Sequence, residues 1–204
     1  FYNESDLGEV PPTPLIGALG VLADKAKFIG QCPNGGQGLV AALSAPIGTE
    51  QQGLGASAYA AFVHGVYDGY PVQPSMNGER LLCSALAQAV SSGLLTFAHD
   101  SSEGGAAVAL TEISMKTKVD VELEGVNETS ALFGEFPGVV FVGLASEADI
   151  AKLHEVVGDK GLGLQVIGRY SEGSGLTIRF EGRTVVDVPG NLLFNVYEEA
   201  IPKI

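Results

Sequence analysis

"LLTFAHDSSEGGAAVALTEIS", from Leu94 to Ser114, is the stretch on which the reading of this chain turns. An apolar run with strand character, Leu94–Ala98, ends at His99 and Asp100. Two serines, a glutamate and two glycines follow. An alanine-rich helix is then predicted from about Gly104 to Lys116, with Ala107, Leu110 and Ile113 inward. Two readings of the junction stand open. In the structural one, Gly104 and Gly105 let the helix pack close to its strand, and Asp100 or Ser102 caps its N-terminus. In the functional one, the orphan amides and the positive end of the helix dipole receive a phosphate, while Asp100 binds Mg²⁺.

The same alternation extends in both directions. Upstream, Leu39–Ala45 reads as a strand and Ser57–Tyr67 as a short helix. Asn77 is placed to cap the next helix and Gly93 to end it. Leu81, Leu82, Ala85, Leu86, Ala89 and Val90 share one face of that helix. Downstream, "VDVELEG" alternates like a half-buried strand, and "GVVFVGLA" is a continuous apolar run suited to the centre of a sheet. Ser146 with Asp149 resembles a capping box opening a helix over 147–157. "LQVIGRY", "LTIRF" and "TVVDV" read as short strands, the last two joined by a hairpin at Glu181-Gly182. A helix over about 191–200 ends before Pro202. The fold class is α/β (α+β), a mixed β-sheet flanked by helices.

Composition narrows the function. The 204 residues carry 24 acidic against 11 basic side chains, a formal net charge of −13. Such a surface repels phosphate backbones, so no nucleic-acid partner is expected. No apolar run reaches the ~18 residues of a membrane span, and no basic, cleavable leader opens the chain. Cys32 and Cys83 lack metal-ligand spacing and read as free thiols in a reducing cytoplasm. His154 reads as solvated and His64 as a C-terminal helix cap. No P-loop, dinucleotide fingerprint or nucleophile elbow is present. The first residue is Phe1, and the chain reads as a piece of a longer protein.

Six segments carry a resemblance. "FYNES" (1–5), "PPTPLIGALGVL" (11–22), "LGASAYAAFVHG" (54–65), "HDSSEGGAAVAL" (99–110), "LFGE" (132–135) and "YEEAIP" (197–202) occur in one order along nearly the whole chain. Together they resemble the C-terminal quarter of phosphoribosylformylglycinamidine synthase, in its stand-alone bacterial synthetase form, within the aminoimidazole ribotide synthetase-related superfamily. The resemblance implies a ligase that uses ATP and Mg²⁺ to phosphorylate the amide oxygen of formylglycinamide ribonucleotide. Ammonia then displaces the phosphate. It also implies a glutaminase subunit and a small bridging subunit as partners, and a cytoplasmic setting.

The family duplicates a two-domain unit. Residues 1–26 are then expected to be the tail of the second nucleotide-side domain, and 27–204 the second C-terminal domain. The catalytic histidines and the Gly-Asn-Val-Ser preceding "FYNE" in the family fall outside this sequence, so the chain alone is expected not to catalyse. By the same resemblance Asp100 ligates Mg²⁺, and Ser102 with Gly104 and Gly105 contacts nucleotide, at an auxiliary site. One departure stands out. After "LFGE" the family continues with serine and soon an arginine; here Phe136-Pro137-Gly138-Val139 follows Glu135. A phosphate-bearing substrate loses a hydroxyl and a guanidinium there. Two alternatives remain: another ATP-dependent member of the superfamily (the makers of selenophosphate, thiamine phosphates, aminoimidazole ribotide or a hydrogenase maturation factor), or a non-catalytic interaction module.

Overall fold

The structure, a computed structural model, describes residues 4–5, 8–9, 14–22, 24–47, 52–158 and 160–200. Most of "FYNES", the prolines Pro11 and Pro12, and the end of "YEEAIP" with Pro202 lie outside the described residues. At the N-terminal side, β1 (Glu4–Ser5) and β2 (Gly8–Glu9) form a small antiparallel pair.

The other seven strands among the described residues form one sheet. Its strands are β3 (Gly38–Ser44), β4 (Leu95–Asp100), β5 (Lys118–Leu123), β6 (Val139–Leu144), β7 (Gly163–Ser171), β8 (Gly175–Phe180) and β9 (Arg183–Pro189), in the spatial order β4-β6-β3-β7-β5-β8-β9. Every pairing is antiparallel except β5 with β8, so the sheet is mixed, as the sequence implies. The continuous apolar run of β6 has strands on both sides and buries Phe141, Val142 and Leu144. β8 and β9 close a tight hairpin in which Glu181 and Gly182 both take positive φ, the conformation of a type I′ turn.

Helices cover both faces. On one lie α3 (Gly105–Ser114), α4 (Glu128–Phe133) and α6 (Gly190–Glu199); on the other α2 (Met76–Ser91) and α5 (Glu147–Val157). The first core joins Leu110 and Ile113 of α3 to Phe97, Val119, Phe141 and Ile178 from the sheet. Each such side chain contributes ~2–3 kcal/mol by leaving water. The second core joins Leu82, Ala85 and Ala89 of α2 and Leu153 of α5 to Leu43, Val142 and Leu144. Beyond β7 this second face has charged side chains instead: Asp120 of β5 pairs with Arg179 of β8, with Nη2 3.0 Å from Oδ2. That hydrogen bond raises the Arg179 pKa further above its ordinary value.

Local chemistry corrects several boundaries. Ser75, not Asn77, caps α2, its hydroxyl accepting from the Gly78 amide at 3.2 Å; Asn77 sits inside the first turn and accepts from Arg80. Strand β4 runs on through His99 and Asp100, which face Phe141 and Val140 of β6. In α3 the buried positions are Gly105, Ala106, Ala109, Leu110, Ile113 and Ser114, whereas Ala107 is half-buried. Ser146 opens α5, but its hydroxyl donates to the Asp149 carboxylate at 2.7 Å and caps no backbone amide; that carboxylate also interacts with the Ser146 backbone N–H, so only the return half of the capping box is present. α1 (Ala58–His64) is closed by Gly65 in the left-handed region, not by the His64 side chain. Lys27, whose ammonium donates to the Ser91 carbonyl, and Gly30, whose carbonyl accepts from Ala98 on the outer edge of β4, tie the N-terminal segment to the main body.

Candidate functional site

The junction between β4 and α3 is built from three directions. His99 is buried, with Nδ1 2.8 Å from the Asp100 carbonyl and Nε2 2.7 Å from Oε2 of Glu112 on α3. The strand end thus lies against its helix, although Nε2 makes no aligned hydrogen bond to that carboxylate. Asp100, next along, points its carboxylate into exposed surroundings. The Ser101 amide donates to the Val139 carbonyl at 2.8 Å and prolongs the pairing with β6. Ser102 is exposed and lends its backbone carbonyl to the Gly105 amide at 3.1 Å.

Gly104 is the N-cap of α3, at φ +80°, and no neighbouring side chain caps the helix. The acceptor for its amide comes from 31 residues away: Oε1 of Glu135, at 2.8 Å. The same oxygen accepts the Ala58 amide of α1, also at 2.8 Å. Glu135 is held in turn, because its amide donates to the Gly53 carbonyl at 2.9 Å. Beside it Ser130 Oγ donates to the Gln52 carbonyl at 2.7 Å, and Tyr59 stacks on Phe133 with ring centroids 4.7 Å apart. Gly105 makes the close approach possible. A Cβ there would stand 2.7 Å from the Gly134 oxygen, and its φ of +68° disfavours any side chain. Gly105 thus serves contact with the end of α4, whereas a Cβ on Gly104 would meet Val108 of α3 itself, and β4 supplies none of the atoms nearest to either. Neither the Asp100 nor the Ser102 side chain caps the helix.

The predicted site residues are therefore neighbours in space, and two of their groups are already engaged. The Gly104 and Gly105 amides have acceptors within the chain, while Asp100 and Ser102 face outward. Among the described residues no group of three or more His, Cys, Asp or Glu converges to hold a metal. A single exposed carboxylate suits Mg²⁺ bound mainly through phosphate oxygens and water, so Asp100 fits a magnesium–nucleotide complex better than a bare ion. Glu135 as the acceptor at the helix tip was not visible in the sequence; the "LFGE" segment was its one signal.

Against the same structure lies a cavity of about 420 Å³, lined by Ser101, Ala106, Ser130, Phe136, Phe141 and Ile167 among others. Among the described residues Glu124 is its one charged lining residue, and Phe136 contributes a ring where the family pattern has a hydroxyl. Cys32 and Cys83 are free thiols, half-buried and exposed respectively; His154 is exposed, and His64 packs edge-on against Tyr59. No helix among the described residues is long and apolar enough to cross a membrane.

Comparison with known proteins supplies the lineage. Residues 37–181 match the family model described as AIR synthase related protein, C-terminal domain. The synthase subunit PurL of Moorella thermoacetica, phosphoribosylformylglycinamidine synthase by name, is 31% identical over 205 residues. That match takes in 99% of this chain and 27% of the relative, so the chain spans about a quarter of the length of the curated relative it matches. Among solved structures, T. maritima PurL complexed with FGAR superposes with a TM-score of 0.67 at 20% identity, over 83% of this chain and 30% of that one. The same protein complexed with ADP gives 0.63 at 17% identity, over 83% and 27%. These likenesses carry the mixed seven-stranded fold. The chain belongs to the AIR synthase related proteins, as their C-terminal domain.

Proposed function

We propose that this chain is the second C-terminal domain of a phosphoribosylformylglycinamidine synthase, preceded by the tail of the nucleotide-side domain over 1–26, and that its own role is scaffolding. The observation that carries this reading is the end-to-end match to a PurL subunit about four times longer. The whole protein then converts formylglycinamide ribonucleotide, ATP and glutamine-derived ammonia to the amidine in the cytoplasm, with glutaminase and bridging subunits. The exposed side chains Leu15, Ile16, Leu19 and Val21 support the domain boundary, since apolar side chains that stand clear of this body call for cover from another domain. The Phe136-lined cavity supports a non-catalytic second copy, because no cationic side chain among the described residues lines it to receive a substrate phosphate.

Asp100 is assigned to Mg²⁺ and Ser102, Gly104 and Gly105 to nucleotide in an auxiliary, structural site. The outward carboxylate of Asp100, at the end of β4 on the approach to a ten-residue helix, supports the metal assignment. Formylglycinamide ribonucleotide, ATP and ammonium are supplied to the chain alone and to the full-length parent. Turnover by the parent and none by the chain is expected; amidine formed by the chain alone overturns the proposal. For the auxiliary site, calorimetric titration of Mg·ADP into the parent and its Asp100→Asn variant decides: binding lost in the variant supports it, and binding unchanged removes Asp100 from the role.

A pure interaction module is the second reading. Phe62, Tyr67 and Tyr70, each more than four-fifths exposed around the end of α1, favour it.

A further inference from the structure

His99 is only 6% exposed, and among the described residues no group completes a hydrogen bond to its Nε2. The other ring nitrogen, Nδ1, lies 2.8 Å from the Asp100 carbonyl. A carbonyl only accepts, so Nδ1 carries the proton, and Nε2 of the neutral ring is left with a lone pair. Beside that lone pair stands a second acceptor, Oε2 of Glu112, at 2.7 Å. Both side chains line a cavity of about 340 Å³ whose wall also includes Cys32, Lys116 and, from α6, Phe194 and Tyr197. We propose that His99 Nε2 and Glu112 Oε2 are adjacent ligands of a divalent transition-metal ion, Zn²⁺ or a similar borderline cation, whose remaining positions open into this cavity.

Three observations carry it. The first is geometry. A protonated imidazole donates along its ring axis, yet the Glu112 oxygen is 2.7 Å away without an aligned hydrogen bond. Two ligands side by side on one ion need no such alignment. With each donor about 2.1 Å from the metal, a separation of 2.7 Å subtends roughly 80° there, near the right angle between octahedral neighbours. The second is the tautomer. A ligating histidine characteristically donates its other N–H to a carboxylate or backbone carbonyl, and the Asp100 carbonyl is so placed. The third is access. The Glu112 side chain is 42% exposed, so an ion reaches the buried nitrogen past a movable carboxylate.

The donor set names the class of ion. An imidazole with a carboxylate suits Zn²⁺, Co²⁺ or Ni²⁺, whereas Mg²⁺ and Ca²⁺ are held by oxygen. The site is therefore distinct from the one assigned to Asp100, whose own carboxylate faces outward. Among the described residues no third His, Cys, Asp or Glu converges with the pair, so water or a small ligand from the cavity completes the coordination. Lys116 on the wall favours an anionic one. An ion held here ties the end of β4 to α3, and by binding only the folded chain it raises stability with its concentration.

Zn²⁺ is titrated, in excess Mg²⁺ and against a chromophoric chelator, into the full-length protein and its Glu112→Gln, His99→Gln and His154→Ala variants. The wild type and His154→Ala, which lacks an exposed imidazole, should bind alike and gain Tm. Glu112→Gln and His99→Gln should bind at least about tenfold more weakly and lose the gain in Tm. Glu112→Gln alters a half-exposed side chain, so a folded variant remains available if the change at buried His99 unfolds the protein. In spectra of ¹⁵N-histidine-labelled wild type, Zn²⁺ should move the Nε2 resonance of His99 far more than that of Nδ1, a shift that a purely structural imidazole would not show. No saturable binding, equal affinity in Glu112→Gln, an unmoved Nε2 resonance, or an adventitious ion only, lost with His154, each overturns the proposal.

Discussion

Helices α4 and α3 begin in opposite ways. Asn127 stands immediately before α4, and its side-chain oxygen accepts from the Ser130 amide at 2.9 Å. Ser57 and Ser75 do the same for α1 and α2. Helix α3 has no such neighbour; its cap is Glu135, brought 31 residues back by the fold. A local cap works as soon as the helix forms, because donor and acceptor are covalently tethered. A remote cap works only once β4, α3, α4 and the segment 52–58 are all in place. The tip of α3 therefore reports on tertiary structure, and the tip of α4 on local structure.

That contrast has graded consequences. Gly105→Ala should be the most damaging substitution, at about 4 kcal/mol, because it adds positive-φ strain to a clash with the Gly134 and Phe133 backbone. Urea unfolding measures it, and a loss below ~1 kcal/mol would show that the tip has slack. Glu135→Ala should cost roughly 3 kcal/mol by leaving two amides without their charged acceptor, and Glu135→Gln about 1 kcal/mol. If the alanine variant behaves like a surface change, the remote cap is not holding the tip. Asn127→Ala should cost about 1 kcal/mol, the usual value of a local N-cap. Hydrogen exchange separates the two classes: Asn127→Ala should speed exchange in α4, whereas Glu135→Ala should speed it in both α1 and α3.

The gentlest case is α5. Ser146 bonds to Asp149 and not to the backbone, so Ser146→Ala should cost only a few tenths of a kcal/mol, well under the Asn127 change. The Asp149 carboxyl is held below its ordinary range, first by the hydrogen bond from Lys152 and then by that from Ser146. A depressed acid stabilises the folded state fully above the unfolded carboxylate pKa, and the benefit disappears as pH falls through the lower folded value. Asp149→Asn should erase that acid-side slope; it is small and screened by salt because the pair is exposed. Unfolding curves at neutral and acid pH, in low and high salt, measure the difference.

Much of the architecture was legible because it depends on near neighbours. Helix α5 was read with the bounds the structure has, from the polar start signal of Ser146 with Asp149, and the Glu181-Gly182 hairpin from its turn chemistry. The apolar run of β6 marked it as an interior strand. Misreadings came where two local options compete. Ser75 and Asn77 are both good caps two residues apart, and the choice falls to Ser75 because its hydroxyl reaches the Gly78 amide. The last residues of β4 looked like loop because polar side chains are unusual in a strand, yet pairing with Val140 and Phe141 extends it.

The candidate site divides along the same line. Sequence alone determined that a strand meets a helix at Asp100 through glycines, that the chain is strongly acidic, and that its segments follow one family's order. Spacing along the chain and residue chemistry are enough for each. Only the tertiary structure decided what those glycines touch and what fills the amides at the helix tip. Gly104 and Glu135 are far apart in the chain, and no periodicity links them. Their contact exists because α3 and α4 pack on the same face of the sheet, where a buried N–H must find an acceptor once water is excluded.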